Sequence, residues 1–452
     1  MRSTVIALAV LDSAPQWSRL RSRLERLTLF MPALRKRPLY GAIGMSTPRL
    51  AFDPDFDLDV HVHRYRLPNG AGWQGLLDDA RRMSLTDFDR NRPLWEATLV
   101  EGLPGEQAAF LLKLHHSIAD GAATVMIALS LFEMDAVTNP DEPVPPPAPI
   151  AEDVSIGDVT MANLVDNARR GADLAVASAR TVIGLMRGTV NSPTQTWSKA
   201  WGTVTSIGRM TSVPDGAMSP VMTGRGTTYR FSAFNLPFAA LRQAAKEQEL
   251  SVNDAFMAAL GAGLDAYHRR HGVVVEQLRV NVPISLRGDP GDRTGQVSNA
   301  VSIARFPLPI AGLTAVERMT AAHDLVSEWR SEPAMRLTDP LAEVSWFVPV
   351  PMLASAAHRS DVTVSNVPGP PIPLYLAGAR MLAAYPLVAT IGAALNVTMV
   401  TYDGTAFVGI SSDDRAIPDL ADLVEDLRAG FTEVLGDTEV VGRCDQYAAP
   451  VG

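Results

Sequence analysis

Residues 111–121 read Leu-Leu-Lys-Leu-His-His-Ser-Ile-Ala-Asp-Gly, and this stretch predicts both a local fold and a chemistry. An apolar strand runs into two adjacent histidines, a short turn follows, and Asp120 is placed to cap an apolar helix that begins at Gly121. Neighbouring residues of a strand point to opposite faces, so His115 and His116 do not easily face one cleft. A metal site built on this pair is therefore disfavoured, and the sequence has no H-E-x-x-H motif or Cys/His cluster elsewhere.

A single imidazole at the end of a strand is well placed to act as a general base, because its free pKa lies near the working pH. The alternative is a buried histidine with a structural role, which the attached S-I-A-D-G disfavours. Asp120 follows His116 by four residues. A turn could return its carboxylate to the imidazole, or the carboxylate could hold an arginine and fix the loop. The residues alone leave both roles open.

The segments around this stretch alternate between strand and helix patterns. The apolar run at 5–11 predicts a buried first strand, because Asp12 ends it too early for a signal peptide. Leucines at helical spacing predict an amphipathic helix over 17–29. Further predicted strands cover 60–67, 94–100 and 108–114, and further predicted helices cover 72–83 and 121–133.

Residues 139–149, N-P-D-E-P-V-P-P-P-A-P, interrupt this alternation. Proline at this density excludes a helix or a central strand and predicts an extended, semi-rigid linker. Beyond it, 161–210 has a mostly helical pattern, with Trp197 and Trp201 one turn apart. This helical connector either packs on a domain or docks on a lipid surface.

A second α/β unit begins at residue 225. The uncharged stretch between Arg380 and Asp403 is long enough to span a bilayer. It contains Pro386 and Gly392 and many β-branched residues, so we interpret it as buried strands with turns. Predicted strands cover 227–231, 278–285, 297–306, 362–365, 389–400 and 406–411, and predicted helices cover 237–248, 252–270, 313–332 and 417–434.

The composition of the 452 residues excludes several classes of protein. The chain carries 40 basic and 49 acidic residues, for a formal net charge of −9, which argues against general nucleic-acid binding. Cys444 is the only cysteine, so a disulfide framework and a thiolate zinc site are excluded.

The string at 115–121 resembles the H-H-x-x-x-D-G signature of the coenzyme A-dependent acyltransferase superfamily, which includes nonribosomal-peptide condensation domains. Other strings resemble blocks of the bacterial wax ester synthase/diacylglycerol acyltransferase family. They are R-P-L-W-E at 92–96, S-V-N-D at 251–254, N-V-P-I-S-L-R at 281–287 and S-N-V-P-G-P at 365–370. The matches follow the family order and cover nearly the whole chain.

The resemblance implies a mixed α/β (α+β) fold, with two chloramphenicol-acetyltransferase-like domains that face each other across a tunnel. We assign 1–138 to an N-terminal acyltransferase domain with the motif, 139–224 to the proline-rich linker and helical connector, and 225–452 to a C-terminal acyltransferase-like domain. Family members carry a short apolar helix before the first strand, whereas Met1 lies almost at that strand here. The resemblance therefore implies the fold more directly than the activity.

The resemblance also implies a chemistry. His116 would take the proton of a lipid hydroxyl, which attacks the thioester of a long-chain acyl-CoA without an acyl-enzyme. The acceptor would be diacylglycerol, giving triacylglycerol, or a fatty alcohol, giving a wax ester. Asp120 would have a structural role, in an ion pair with Arg35 or, preferably, Arg37. Gly121 would allow the chain to turn tightly.

Several other residues are candidates for the site. The developing oxyanion needs a hydrogen-bond donor, for which the candidates are Asn253, Ser365 and Asn366. For Asn253 an N-cap at the helix that follows is the alternative. Supporting residues are His115 and Asp254, and packing or tunnel-wall residues are Pro93, Leu94 and Trp95. The remaining histidines are expected on a strand surface (His61, His63) or on helix surfaces (His268, His271, His323, His358).

Acyl-CoA is a substrate in this interpretation, and no metal or other cofactor is expected. The expected partners are acyl-CoA, diacylglycerol or fatty alcohol, and a peripheral membrane or lipid-droplet surface, with no nucleic acid. The expected location is cytoplasmic, on the inner face of the plasma membrane or on lipid inclusions. The alternatives are a condensation-type acyltransferase, a non-catalytic lipid-binding relative and a thioester hydrolase. The intact motif disfavours the second, and the lack of a G-x-S-x-G elbow disfavours the third.

Overall fold

The described strands form two large sheets and one small hairpin. The computed structural model describes residues 4–41, 48–115, 118, 127, 130–137, 142–150, 154–169, 172, 176, 217–285, 301–331, 360–436 and 442–443. The predicted mixed α/β fold is confirmed by this architecture.

The first sheet has β1 at its centre, antiparallel to both of its neighbours, β6 and β12. Its strands are β1 (Thr4–Leu11), β4 (Val62–Arg66), β5 (Trp95–Glu101), β6 (Ala108–His115), β11 (Tyr375–Leu376) and β12 (Ala379–Val388). Their order in space is β11-β12-β1-β6-β5-β4. Two helices, α1 (Trp17–Phe30) and α2 (Gly72–Leu85), and a hairpin of β2 (Lys36–Leu39) and β3 (Arg49–Phe52) accompany this sheet.

The second sheet is built from the C-terminal half. Its strands are β7 (Tyr229–Pro237), β8 (Gln277–Ser285), β9 (Val301–Pro309), β10 (Val362–Val367), β13 (Leu395–Tyr402), β14 (Thr405–Asp413) and β15 (Gly442–Arg443), in the order β15-β7-β14-β13-β10-β8-β9. Strand β10 runs parallel to both of its neighbours. Four helices accompany this sheet: α3 (Phe238–Glu247), α4 (Val252–Arg270), α5 (Ala315–Ser331) and α6 (Leu420–Leu435).

Helix α4 begins at a capping box. The Ser251 hydroxyl accepts from the Asp254 backbone N–H at 3.3 Å, and the Asp254 carboxylate accepts from the Ser251 N–H at 2.9 Å. Two of the N–H groups that a helix start leaves unpaired are thereby satisfied. The N-cap is Ser251, so the alternative interpretation of Asn253 as the cap is wrong.

Helices α4 and α6 approach each other through glycines. A methyl group on Gly263 would lie 2.5 Å from the Cα atom of Leu427 in α6, and one on Gly430 would lie 2.3 Å from the carbonyl oxygen of Ala259 in α4. Both distances are far below a van der Waals contact. The backbones of α4 and α6 are therefore in direct contact at Gly263 and Gly430, where a side chain would not fit.

Strand β12 comes from the C-terminal part of the chain but belongs to the first sheet, where Val388 pairs with Val5. It also lies against the second sheet, since the Tyr385 ring contacts Phe407 of β14 with centroids 5.1 Å apart. Close approach requires a glycine here, because a Cβ on Gly409 would lie 1.8 Å from the Pro386 carbonyl oxygen. The strands of the predicted C-terminal range are thus divided between the two sheets.

Beyond β12 the chain turns and enters the second sheet. The predicted strand over 389–400 begins only at Leu395, because Ile391 (φ 49°) and Gly392 (φ 93°) adopt left-handed conformations in a turn. The stretch between Arg380 and Asp403 consists of strands and turns, as predicted. No helix within the described ranges is long and apolar enough to cross a membrane.

Candidate active site

The motif begins at the last residue of β6. The His115 N–H donates to the Leu94 carbonyl at 3.0 Å, and the His115 carbonyl accepts from the Ile118 N–H at 2.9 Å. On its other side His115 pairs with Thr4 of β1. His116, Asp120 and Gly121 lie outside the described residues, so the roles assigned to them stay predictions.

Thr4, the partner of His115 in β1, lies next to the point where the chain passes from the first sheet to the second. The Thr4 carbonyl accepts from the Ala389 N–H at 3.1 Å, and Ala389 is the first residue after β12. The following turn is held by Arg225, whose guanidinium donates to the carbonyls of Gly392 (3.1 Å) and Ser360 (2.9 Å). His115, the first residue of the motif, therefore lies close to the connection between the two sheets.

Pro93, Leu94 and Trp95 are buried beside this edge. The Trp95 indole donates from Nε1 to the Leu34 carbonyl at 2.7 Å, which fixes the ring. These contacts give the three residues a packing role. Their position in a tunnel wall stays a prediction.

His61 is buried, at 2% exposure, and the expectation of a strand surface is wrong for it. Strand β4 begins at Val62, after a 3₁₀ turn that directs His61 inward. Its ring stacks on Trp95 with centroids 4.7 Å apart, and Nδ1 donates to the Trp95 carbonyl at 2.8 Å. Because a carbonyl only accepts, the hydrogen sits on Nδ1. His63, in contrast, is exposed as expected.

His268 is fully buried in α4, so its assignment to a helix surface is also wrong. Its Nδ1 donates to the Leu264 carbonyl at 2.7 Å, and its Nε2 accepts from the Ser219 hydroxyl at 2.7 Å. The pair ties the segment before β7 to α4. The other two described helix histidines, His271 and His323, are partly exposed, and His358 lies outside the described residues.

Acid should destabilise the protein through His61 and His268. Burial lowers the pKa of both imidazoles from their usual value of about 6.5. As the pH falls, these two histidines therefore become protonated in the unfolded chain before they do so in the folded protein. The free energy of unfolding keeps the full contribution of these two histidines above pH ~6.5. As the pH falls below 6.5, the free energy of unfolding decreases by up to about 1.4 kcal/mol per pH unit for each histidine, until the pKa of the folded state is reached.

Urea unfolding at pH 7.5, 6.5 and 5.5 measures this effect. The His268→Gln variant should lose less stability between pH 6.5 and 5.5 than the parent, because one of the two protonations has been removed. Equal losses in both proteins would contradict the assignment for His268.

Lys113 is a buried residue that the sequence interpretation missed. It lies in β6 two residues before His115, its side chain is 0% exposed, and its Nζ lies 3.2 Å from Oε2 of Glu96, its partner in β5. The ammonium also lies 4.2 Å above the Phe88 ring centroid. A lone lysine within the apolar run L-L-K-L was the available signal.

Arg37 and Arg35, the predicted partners of Asp120, lie in and before β2. The Arg37 Nε atom lies 3.9 Å from the buried carboxylate of Asp53. Arg35 pairs with Glu25 and places its guanidinium 4.6 Å from the Phe56 ring centroid. The predicted ion pair with Asp120 is not tested by these contacts.

The candidate residues from the second half occupy α4 and β10. The Asn253 amide lies 3.5 Å from the Met257 sulfur, and the Asp254 carboxylate binds both the α4 cap and His323 of α5, at 3.1 Å. Ser365 and Asn366 pair with Thr398 and Met399 of β13 and are half-buried. The structure thus gives Asp254 a structural role, and the oxyanion roles of Asn253, Ser365 and Asn366 stay predictions.

Comparison with protein families identifies the chain. The catalytic-domain model of wax ester synthases/diacylglycerol acyltransferases matches residues 4–256, and the C-terminal-domain model of the same family matches 297–434. The chain belongs to the wax ester synthase/diacylglycerol acyltransferase family. It is an acyltransferase of this family, as the sequence motifs predict.

Two relatives from Mycobacterium tuberculosis align over almost the whole chain. One, provisionally named a diacylglycerol O-acyltransferase, is 32% identical over 445 residues, which cover 96% of this chain and 88% of the relative. Another, provisionally named diacylglycerol O-acyltransferase tgs1, is 28% identical over 466 residues, which cover 97% of this chain and 93% of the relative.

Two solved structures share the fold of this chain. The wax ester synthase/diacylglycerol acyltransferase from Marinobacter aquaeolei VT8 gives a TM-score of 0.61 at 22% identity and covers 99% of this chain and 96% of its own. The first condensation domain of the calcium-dependent antibiotic synthetase gives 0.59 at 16% identity, covering 98% and 93%. At these identities the likeness concerns the fold alone.

Proposed function

We propose that this member of the family transfers a long-chain fatty acyl group from acyl-CoA to the hydroxyl of a diacylglycerol, which gives triacylglycerol. A fatty alcohol in place of the diacylglycerol gives a wax ester. The observation that carries the proposal is the intact H-H-x-x-x-D-G motif, whose first residue, His115, ends β6. His115 pairs with Thr4, beside the point where the chain passes from the first sheet to the second. The names of the aligned relatives support diacylglycerol as the acceptor.

The proposed reaction is a direct transfer with His116 as the base. The imidazole takes the hydroxyl proton while the oxygen attacks the thioester carbonyl carbon. The carbon–sulfur bond then breaks, the leaving thiolate of coenzyme A takes the proton from the imidazolium, and the ester remains. Acyl-CoA enters as a substrate, and the proposal invokes no resident cofactor. Asp120 and Arg37 hold the loop, and Gly121 allows its turn.

We further propose that the protein works at a lipid surface. The helical residues 156–169 expose Met161 (63%), Leu164 (51%) and Val165 (41%). These positions share one face of a helix, because they are three and four residues apart. An exposed apolar face of this kind supports peripheral contact with a membrane or a lipid inclusion.

An acceptor panel tests the proposed reaction. Purified protein receives labelled palmitoyl-CoA and lipid vesicles that contain diacylglycerol, hexadecanol or no acceptor. We expect labelled triacylglycerol with the first, wax ester with the second, and little free palmitate with the third. Release of free palmitate at the same rate in all three would favour a thioester hydrolase instead. Sedimentation of the same vesicles shows whether the protein binds them.

A further inference from the structure

Strand β6 carries a charged side chain in an otherwise apolar row immediately before the motif. Alternate residues of a strand share a face, so Lys113 and His115 lie side by side on the face that also bears Leu111. The lysine side chain is fully buried. A buried ammonium is costly unless fixed partners surround it.

Two partners surround the ammonium of Lys113. The Glu96 carboxylate lies 3.2 Å away on the neighbouring strand, directly across the register. The Phe88 ring, on the loop between α2 and β5, lies 4.2 Å below the charge, within the range of a cation–π contact. Because the charge has left water, both contacts are stronger than they would be at the surface.

The same phenylalanine reaches the motif. The rings of Phe88 and His115 have centroids 6.1 Å apart at an interplanar angle of 72°, an edge-to-face arrangement. Phe88 therefore lies between the ammonium of Lys113 and the imidazole of His115 and contacts both. The backbone of His115 is held as well, by Leu94 before it and Ile118 after it.

From this chain of contacts we propose that Lys113, Glu96 and Phe88 form a positioning cluster for the acyl transfer. The cluster holds His115 and the end of β6 in one orientation, and the activity of His116, the next residue in the sequence, depends on that orientation. The three residues contact neither substrate in this proposal. The inference rests on the proposed function, because it assigns them an effect through His116.

The decisive variant is Phe88→Leu, which keeps an apolar side chain but removes the ring. We expect kcat for triacylglycerol formation to fall about tenfold, since small displacements of a catalytic group are costly. The KM for palmitoyl-CoA should stay at the parental value. The melting temperature should fall somewhat, because the buried ammonium of Lys113 loses one of its two contacts, so kcat is measured at a temperature where both proteins are fully folded. Phe88→Tyr keeps the ring and should restore kcat. The matched control is Phe30→Leu, which also removes a ring beside a cation, 5.0 Å from Arg26, but at the end of α1.

A paired variant separates positioning from stability. Lys113→Met with Glu96→Gln removes both charges together, and buried ion pairs can be replaced by neutral side chains without loss of stability. We expect a parental melting temperature and a kcat as low as that of Phe88→Leu. A parental kcat in Phe88→Leu, or a kcat that falls only as far as the folded fraction falls, would overturn the proposal.

A readout without turnover separates this inference from the proposed function. In protein labelled with ¹³C at histidine Cε1, the His115 signal is assigned by its absence in His115→Gln. It should shift in the Lys113→Met and Glu96→Gln double variant, which keeps the Phe88 ring and its ring current, and not in Phe88→Tyr or Phe30→Leu. An inactive parent with this shift would refute the acyl transfer and keep the cluster as a device that orients His115. An unshifted signal would refute the cluster whatever the activity.

Discussion

Replacement of His116 by alanine should abolish ester formation from palmitoyl-CoA and diacylglycerol. A positioned general base contributes roughly 10²–10⁴-fold to a rate, so we expect turnover to fall by about three orders of magnitude. An alcohol is a weak nucleophile until a base takes its proton, and the proposed reaction gives that task to one imidazole. Labelled triacylglycerol, separated from the unreacted donor, measures the loss.

The control for this experiment is His63→Ala. His63 is exposed on β4, so its loss should leave both turnover and the melting temperature unchanged. The His116→Ala protein should show the circular dichroism spectrum of the parent. Full turnover in His116→Ala would show that His116 is not the general base.

Alanine at Gly263 should destabilise the protein by at least about 2 kcal/mol, since overpacking a close contact typically costs 1–3 kcal/mol. The new methyl group would lie 2.5 Å from the Cα atom of Leu427 and 2.8 Å from the carbonyl oxygen of Asp426. Both atoms belong to the backbone of α6, so no rotamer change relieves the clash. The two helices would have to separate along their whole contact.

Gly261 provides a control in the same helix. A methyl group there would meet Ile310 at 3.5 Å and Arg318 at 3.6 Å, which are ordinary contacts with side chains. Alanine is the better helix former by up to about 1 kcal/mol, so Gly261→Ala should stabilise the protein slightly. Urea unfolding of the two variants should therefore give shifts of opposite sign. A Gly263→Ala protein as stable as the parent would show that α4 and α6 are less tightly packed than described.

Local signals were sufficient for most elements. Helix α4 spans Val252–Arg270, the same bounds that the sequence predicts, because Ser251 and Asp254 mark its start and apolar residues fill its length. The pair β5 and β6 was predictable from two apolar runs around a Pro-Gly turn. In each case the information lies within a few residues of the element.

Long-range contacts were not predictable in this way. Nothing near 379–388 indicates that this strand pairs with β1, because the pairing depends on residues hundreds of positions away. The burial of His61 and His268 has the same origin. Their local patterns are those of a strand edge and a helix surface, whereas Trp95 and Ser219, which cover them, come from other parts of the chain.

In the candidate site, too, the features that depend on consecutive residues were predictable and the long-range contacts were not. The motif, its place at the end of a strand and the family could be inferred from the sequence, since they depend on consecutive residues. The contact between Phe88 and Lys113 could not, because it joins a loop to a strand through a buried charge. The run L-L-K-L indicated an unusual lysine but not the groups around it.

The late arrival of β12 has a consequence for how the protein is made. On the ribosome, the 273 residues that follow His115, up to Val388, take roughly 15–55 s to synthesise, at about 5–20 residues per second. During that interval the strand that pairs with one edge of β1 has not yet been made, and an unpaired strand edge is a template for aggregation. Severing the gene at the proline-rich linker would therefore leave the first product permanently without two strands of its sheet, β11 and β12.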